Sequence, residues 1–456
     1  MHHRLSRCTG VEVLVLSLVA LTACGDDDSP MVVPDSGIEL DGGPTVPDAG
    51  PAVPDAGPPP PRTCAEVDTA LLDAAEELEF TGADATLSGA YSVTDRIIFE
   101  GFGGTTTTIE PGTVFFMQPD SWVIFGRGPA TVFAEGTEEA PILFCGVDPT
   151  VGSWHGVHLE GGTSSDSELR HVRIEHAGAS DFTALDIYTD VLLDHVTVSG
   201  AAATGLRLQD ADDASTDVRV EGAELAVRLA GASAINAFPP GDYTGNSRDL
   251  AEIEGEFAGV VTFRDRGIPY VQLAERITFD DVSGDGAHRV TFEAGVEYRF
   301  SQDSFMIIGW RNDAASIFVE GTEEDPVVFT SHREGDGAAP GDWRGLQLQG
   351  GTGSDSSLRH AVFRYGGIAP ADTDGDCTGG SSGGEGCANV TISHNANIVI
   401  ENTSFESSAG YGVFFGALNR TTLAVNGDSD VITAIAGSGN TFTDNAAGTA
   451  FLAIGP

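Results

Sequence analysis

The chain has 456 residues, of which 69 are acidic and 22 basic, for a formal net charge of −47, and it contains no lysine. A surface so rich in carboxylates argues against nucleic acid as a partner, because polyanion binding rests on clustered basic groups. Arginine in place of lysine suits a GC-rich genome, and an acidic surface favours solubility.

At the N-terminus, Arg4 and Arg7 precede an apolar run from Val13 to Ala23 that ends in Leu21-Thr22-Ala23-Cys24. The run is about half the ~20 residues that a spanning helix needs. It resembles a bacterial lipoprotein signal peptide, with Glu12 at the edge of the run as a small departure. The resemblance implies that residues 1–23 are removed and that Cys24 carries the lipid, so that the membrane is a partner through this anchor. Gly25 rather than Asp follows the cysteine, which by analogy places the protein at the outer membrane, facing the periplasm or the cell surface.

Residues 24–62 open with GDDDSP and then hold three Val-Pro-Asp units and a proline run, Pro58 to Pro61. Prolines and self-repelling carboxylates cannot build a core and favour extended chain, so this stretch is expected to be a disordered tether. From Cys64 to Phe80 the apolar residues fall near i, i+3 and i+4. That spacing predicts a helix, and residues 63–82 are expected to form a short N-terminal cap over the first coil.

The body is built from repeats. FAEGTEEAPILF at Phe133 to Phe144 recurs as FVEGTEEDPVVF at Phe318 to Phe329, followed by Gly152-Ser153-Trp154-His155-Gly156 against Gly341-Asp342-Trp343-Arg344-Gly345. This divides the body into two homologous halves, 83–270 and 271–456. A finer step of 24 residues takes His171 to His195 within the first half. Each step holds short alternating runs such as Val-His-Leu-Glu, punctuated by Gly, Asp, Ser and Thr, the signal of strands and turns. Many short strands at this spacing, without hairpin signals, predict an all-β parallel β-solenoid whose coils stack on one another.

The runs TIEPGTVFF, VFAEGTEEAPILF, GSWHGVHLEGG and LRHVRIEHAG resemble the right-handed parallel β-helix proteins of bacterial cell surfaces, related in fold to pectate lyases. The resemblance covers most of residues 83 to 456. It implies a pectin-lyase-like fold and leaves activity open, since that fold hosts lyases, hydrolases, adhesins and inert rods.

Six cysteines are present. With Cys8 lost and Cys24 lipidated, Cys64, Cys145, Cys377 and Cys387 remain, an even number that suggests two disulfides in an exported chain. Cys377 with Cys387 would close a short Gly-rich loop, and Cys64 with Cys145 would staple the cap to the body.

From His360 to its counterpart of His195, Asn402, the chain takes 42 residues instead of 24. The extra residues lie in the inserted loop 368–388, which carries Asp372, Asp374 and Asp376. Carboxylates at alternate positions are a candidate Ca²⁺ site, because this hard cation takes several oxygens converged by a tight turn; Glu385 could add a ligand. Cys377 and Gly383 stand where an EF-hand needs glycine and glutamate, which excludes that motif, and a solvated acidic turn remains the alternative.

No catalytic residues are assigned. Glycoside hydrolysis needs two placed carboxyl groups, and the polygalacturonase signatures Asn-Thr-Asp, Gly-His-Gly and Arg-Ile-Lys are absent. Paired acids such as Asp280-Asp281 and Asp210 to Asp213 arise by chance among so many carboxylates. Lyase chemistry would need an arginine base such as Arg359 or Arg364, but Arg359 has a twin in Arg170, where no Asp loop follows. Trp154 and Trp343 occupy equivalent Gly-x-Trp-x-Gly positions, either stacking on a sugar face or packing at a coil corner. The expectation is a lipid-anchored cell-surface β-helix acting as a non-catalytic polysaccharide-binding, matrix-binding or structural module. A calcium-dependent polysaccharide lyase or glycoside hydrolase is the alternative.

Overall fold

The computed structural model describes residues 62–454 except 81, 101–102, 256, 280–287, 311–312, 336, 370–385, 394–397 and 419–437. The described chain is mostly β, in five sheets of 13, 8, 6, 5 and 5 strands, and every ladder between them is parallel. Neighbours within a sheet are not consecutive in sequence. The chain visits a different sheet with each strand and returns one coil later, the arrangement of an all-β parallel solenoid.

Alternation makes the strands. Thr105–Ile109 and Ala130–Glu135 bury every second residue, and side chains of opposite parity point to opposite faces. Because the ladders are in register, like stacks on like. Phe329, Phe363, Phe405 and Phe442 form one column with ring centroids 4.6, 5.7 and 5.1 Å apart, close to the 4.7–4.9 Å between neighbouring strands. Phe99 on Phe125 and Phe115 on Phe144 repeat the device at 4.7 and 4.6 Å.

Single residues turn the corners between strands. His171, His195 and Asp217 stand in the left-handed region at φ 46°, 54° and 52°, and His360 and Asn402 do so in the second half at 48° and 50°. His, Asn and Asp are the side chains that tolerate this conformation best. At the same corner one coil earlier stands Gly136, where a Cβ would come within 2.6 Å of the His171 carbonyl oxygen.

The two halves thread the sheets differently. In the first, Ala130–Glu135 lies in a five-stranded sheet, Ile142–Gly146 in the eight-stranded sheet and Gly156–Leu159 in the 13-stranded sheet. Their counterparts in the second half are Ala315–Glu320 in the other five-stranded sheet, Val327–Ser331 in the 13-stranded sheet and Leu346–Leu348 in the six-stranded sheet. The long sheet is therefore built from the third strand of the repeat in one half and the second strand in the other. The change follows the short helix Ala232–Asn236, after which the eight-stranded sheet ends at Gly241–Asp242 and the new five-stranded sheet begins at Val260–Phe263.

The N-terminal segment differs from the helix expected over Cys64 to Phe80. Only Thr69–Asp73 is α-helical, capped by Asp68, whose carboxylate accepts from the Ala70 amide at 2.9 Å. A disulfide joins Cys64 to Cys145, with Cα atoms 5.5 Å apart. Val67, Leu71, Leu72 and Ala75 pack on Val114, Phe116, Leu143 and Cys145, a cluster separate from the main core. Val114–Met117 is buried on both faces, as strands with continuous apolar runs require, and the segment supplies the second cover. It straps the side of the eight-stranded sheet. Closure of the end falls to the next residues, where Glu76–Glu77 pairs with Ala90–Val93, Leu78 enters the core and Phe80 packs on Phe99 at 4.7 Å.

Candidate functional site

Trp154 and Trp343 are wholly buried. Their indole N–H groups donate to the Glu175 and Arg364 carbonyl oxygens at 3.0 and 2.9 Å, and Trp343 lies flat on Phe300 at 4.0 Å. Neither ring has a face to offer a sugar, so the stacking alternative is corrected: both are corner packing residues. Arg170 pairs with Glu168 and Asp194 at 2.9 and 2.7 Å, and its twin Arg359 pairs with Glu401 at 3.2 Å, so both serve the coil that carries them. Cys24, Asp372, Asp374, Asp376, Cys377 and Glu385 lie outside the described residues. Cys387 is disulfide-bonded.

The charged chemistry gathers elsewhere, on the outward face of the long sheet in the first half. Cα partners place His158 on Gly156–Leu159, Asp186 on Leu185–Ile187, Arg207 on Thr204–Leu208, Arg228 on Leu225–Ala230 and Glu252 on Arg248–Glu254 in one column. Val157 and Leu159 flank His158 and point into the core, which leaves the histidine on the opposite face. His158 and Asp186 are nonetheless 7% and 5% exposed, and Trp122, His155 and Phe182 cluster beside His158. Trp122 meets His158 edge-on at 4.9 Å and Phe182 at 5.2 Å, and Phe182 stacks on His155 at 4.1 Å.

Burial sets the electrostatics. Desolvation pulls the His158 imidazole down to about 4, against a hydrogen bond to the Thr183 main chain that favours its proton. Desolvation pushes the Asp186 carboxyl up to about 6, against the opposing pull of the Arg207 guanidinium. His158 Nδ1 is 3.9 Å from Asp186 Oδ2, and Arg207 Nη1 is 3.5 Å from Oδ1, an ion-pair distance without hydrogen-bond geometry. Arg207 also reaches Glu254 at 3.0 Å and lies 5.3 Å over the Tyr188 ring. Burial raises the Tyr188 phenol as well. Arg228 and Arg248 close the column on Glu252 at 2.8 and 2.6 Å.

Among the described residues, four buried polar atoms here have no hydrogen-bond partner: Asp186 Oδ1, His158 Nε2, Trp122 Nε1 and His155 Nδ1. Buried polar atoms are rarely left so. The matching strands of the second half carry Gln347, Thr391 and Phe414 in register, with none of the charge. Sequence reading did not single out His158 or Asp186. The available signal was the contrast of Gly156-Val-His-Leu-Glu160 with Gly345-Leu-Gln-Leu-Gln349.

A second feature lies at the corners. His171 stacks on His195 at 4.6 Å, and His195 is held between Asp194 and Asp217 at 2.6 and 3.1 Å. They line an open cavity of about 380 Å³ with Arg173 and Arg219, and His360 and Asn402 line one of about 390 Å³ at the same corner of the second half. Among the described residues, no three His, Cys, Asp or Glu side chains are placed to hold a metal ion. No helix among them is long and apolar enough to cross a membrane.

The chain matches no protein-family model, no curated protein and no solved structure. Its class thus rests on its own geometry, an all-β protein of long parallel sheets with a charged, aromatic-rimmed cluster on one sheet face.

Proposed function

We propose that this protein is a lipid-anchored right-handed β-helix of the outer membrane, held off the lipid by its acidic Pro-Asp tether, and that it binds extracellular polysaccharide or matrix without cleaving it. The observation that carries this reading is the outward column of the long sheet. It runs in register from His158 through Asp186, Arg207 and Arg228 to Glu252, with the partly exposed guanidinium groups of Arg207 and Arg228 held over buried carboxylates, and so offers an extended polymer polar groups one coil apart on a rigid support.

The ligand this face suits is uncharged. Its arginines are paired with carboxylates, and the net charge of −47 repels polyanions over distances of about a Debye length. Lipid anchorage at Cys24 and the tether up to residue 62 place such a face within reach of surface polysaccharide. The test is affinity electrophoresis of the purified full chain through gels containing neutral or acidic polysaccharides. Retardation by neutral polymers alone supports the reading, and unretarded migration in every gel removes it.

A second reading, a calcium-dependent lyase or a glycoside hydrolase, is favoured by one observation. The Asp186 carboxyl, raised to about 6 beside Arg207, resembles the tuned acid of a hydrolytic site.

A further inference from the structure

We infer that the face formed by Trp122, His158, Asp186 and Tyr188 is a subsite for one ring of a neutral sugar, recognised through adjacent hydroxyl groups. The inference rests on the reading of the long sheet as a polysaccharide-binding face and names the place and chemistry of recognition.

The orphaned atoms define the ligand. The His158 ring donates to the Thr183 main chain, so its unpartnered Nε2 is an acceptor. Asp186 Oδ1, in ion-pair range of Arg207 at 3.5 Å but without a hydrogen bond, is a second acceptor, and Trp122 Nε1–H is a donor without a partner; all three are out of reach of water. A pair of neighbouring hydroxyls satisfies such a set, since each O–H donates once and accepts in return. An anion would meet Asp186 and Glu160, whose charges already repel one another. A cation would find two of the three atoms usable and the third, an N–H, opposed to it. The indole edge and the exposed Tyr188 ring supply the apolar surface that the C–H face of a pyranose requires.

Fold stability does not explain the cluster. The second half builds the same repeat with the uncharged Gln347 and Thr391 at the positions of His158 and Asp186; Gln347 Nε2 and Thr391 Oγ1 are unpartnered there too, so what sets the first half apart is the buried titratable pair, whose desolvation costs more than that of neutral groups. At the edge of the site is Phe182, which stacks on His155 beside a turn where Ser180 stands at φ 54°; it is the group that a bound ring displaces.

The test is saturation-transfer NMR on the full chain with methyl glucoside, methyl galactoside and methyl mannoside, and with glucuronate as the acidic control. At least one neutral glycoside receives saturation and glucuronate does not. In a H158Q/D186T variant, which installs the residues that the second half already folds with, its affinity falls about tenfold, the loss of one or two hydrogen bonds. W122F, which keeps an aromatic side chain of smaller area and removes the N–H, serves as a second variant and weakens binding by about fivefold on the same grounds. Undiminished affinity in both variants, or preference for glucuronate, overturns the subsite. Failure of every methyl glycoside to bind while neutral polysaccharide still retards the chain in gels overturns this inference alone, whereas failure of both removes the reading beneath it as well.

Discussion

The two halves share one strand repeat but spend their outward faces differently. The first half covers one sheet with the strap that Cys64 ties to Cys145 and loads another with His158, Asp186 and Arg207. On the matching strands the second half places Gln347, Thr391 and Phe414. The core positions are held in common, and Trp154 and Trp343 are buried to the same degree with the same kind of hydrogen bond. What is shared is what the coil needs in order to stack. What differs stands where stacking makes no demand.

The largest expected effect tests the shared part. Trp154→Ala and Trp343→Ala should each cost about 5 kcal/mol, the upper end for truncating a buried aromatic, since each also strands a backbone carbonyl. Urea unfolding of the two variants should give similar losses. A loss confined to one of them would break the equivalence of the halves.

Next comes the strap, found among the described residues only on the first half. The disulfide closes a sequence separation of 81 residues, worth about 4 kcal/mol by chain entropy. Reduction, or Cys145→Ser, should lower the unfolding midpoint and expose Phe116 and Leu143 to a hydrophobic dye. A midpoint insensitive to reductant would mean that the packing of Val67, Leu71 and Leu72 holds the strap unaided.

The charged cluster should show itself through pH. Asp186 is held near 6 against about 3.9 unfolded, so its contribution is greatest below about pH 4 and is lost as pH rises through 6. His158 is held near 4 against about 6.5 unfolded; its contribution is present above about 6.5 and is lost as pH falls through 4. In the intact protein the two slopes oppose each other between about pH 4 and 6. H158Q alone should leave stability falling with rising pH, and D186T alone should leave it rising, each by on the order of 2 kcal/mol across the window. Parallel slopes in the two variants would contradict the assignment.

The smallest effect belongs to the corners. His195→Ala should cost about 1 kcal/mol for a left-handed alanine, and His195→Asn, the residue that the second half uses as Asn402, should cost less.

Much of the fold was legible because its causes are local and repeated. Alternation in runs such as Ala130 to Glu135 marked the strands, the recurrence of EGTEE marked the halves, and the step from His171 to His195 gave the coil. The strap was misplaced because an apolar i, i+4 pattern reports a face seeking cover without saying which surface receives it. The continuous runs VFFM and ILFC, apolar on both faces, held that information. The change of sheet between the halves was not legible, since it depends on how the turn around Ala232–Asn236 places the next strand. The candidate site was missed because His158 and Asp186 belong to strands 24 or more residues apart and meet only through register. Composition had drawn attention to the denser acids of the inserted loop instead.

The most direct test of a binding face without catalysis is release of reducing ends and unsaturated products from neutral and acidic polysaccharides by the full chain, with and without Ca²⁺, on polymers that also retard it in gels. The account predicts retardation by neutral polymers and no products under either condition; products from any bound polymer, above all if lost in Asp186→Asn, would contradict it and make the protein an enzyme.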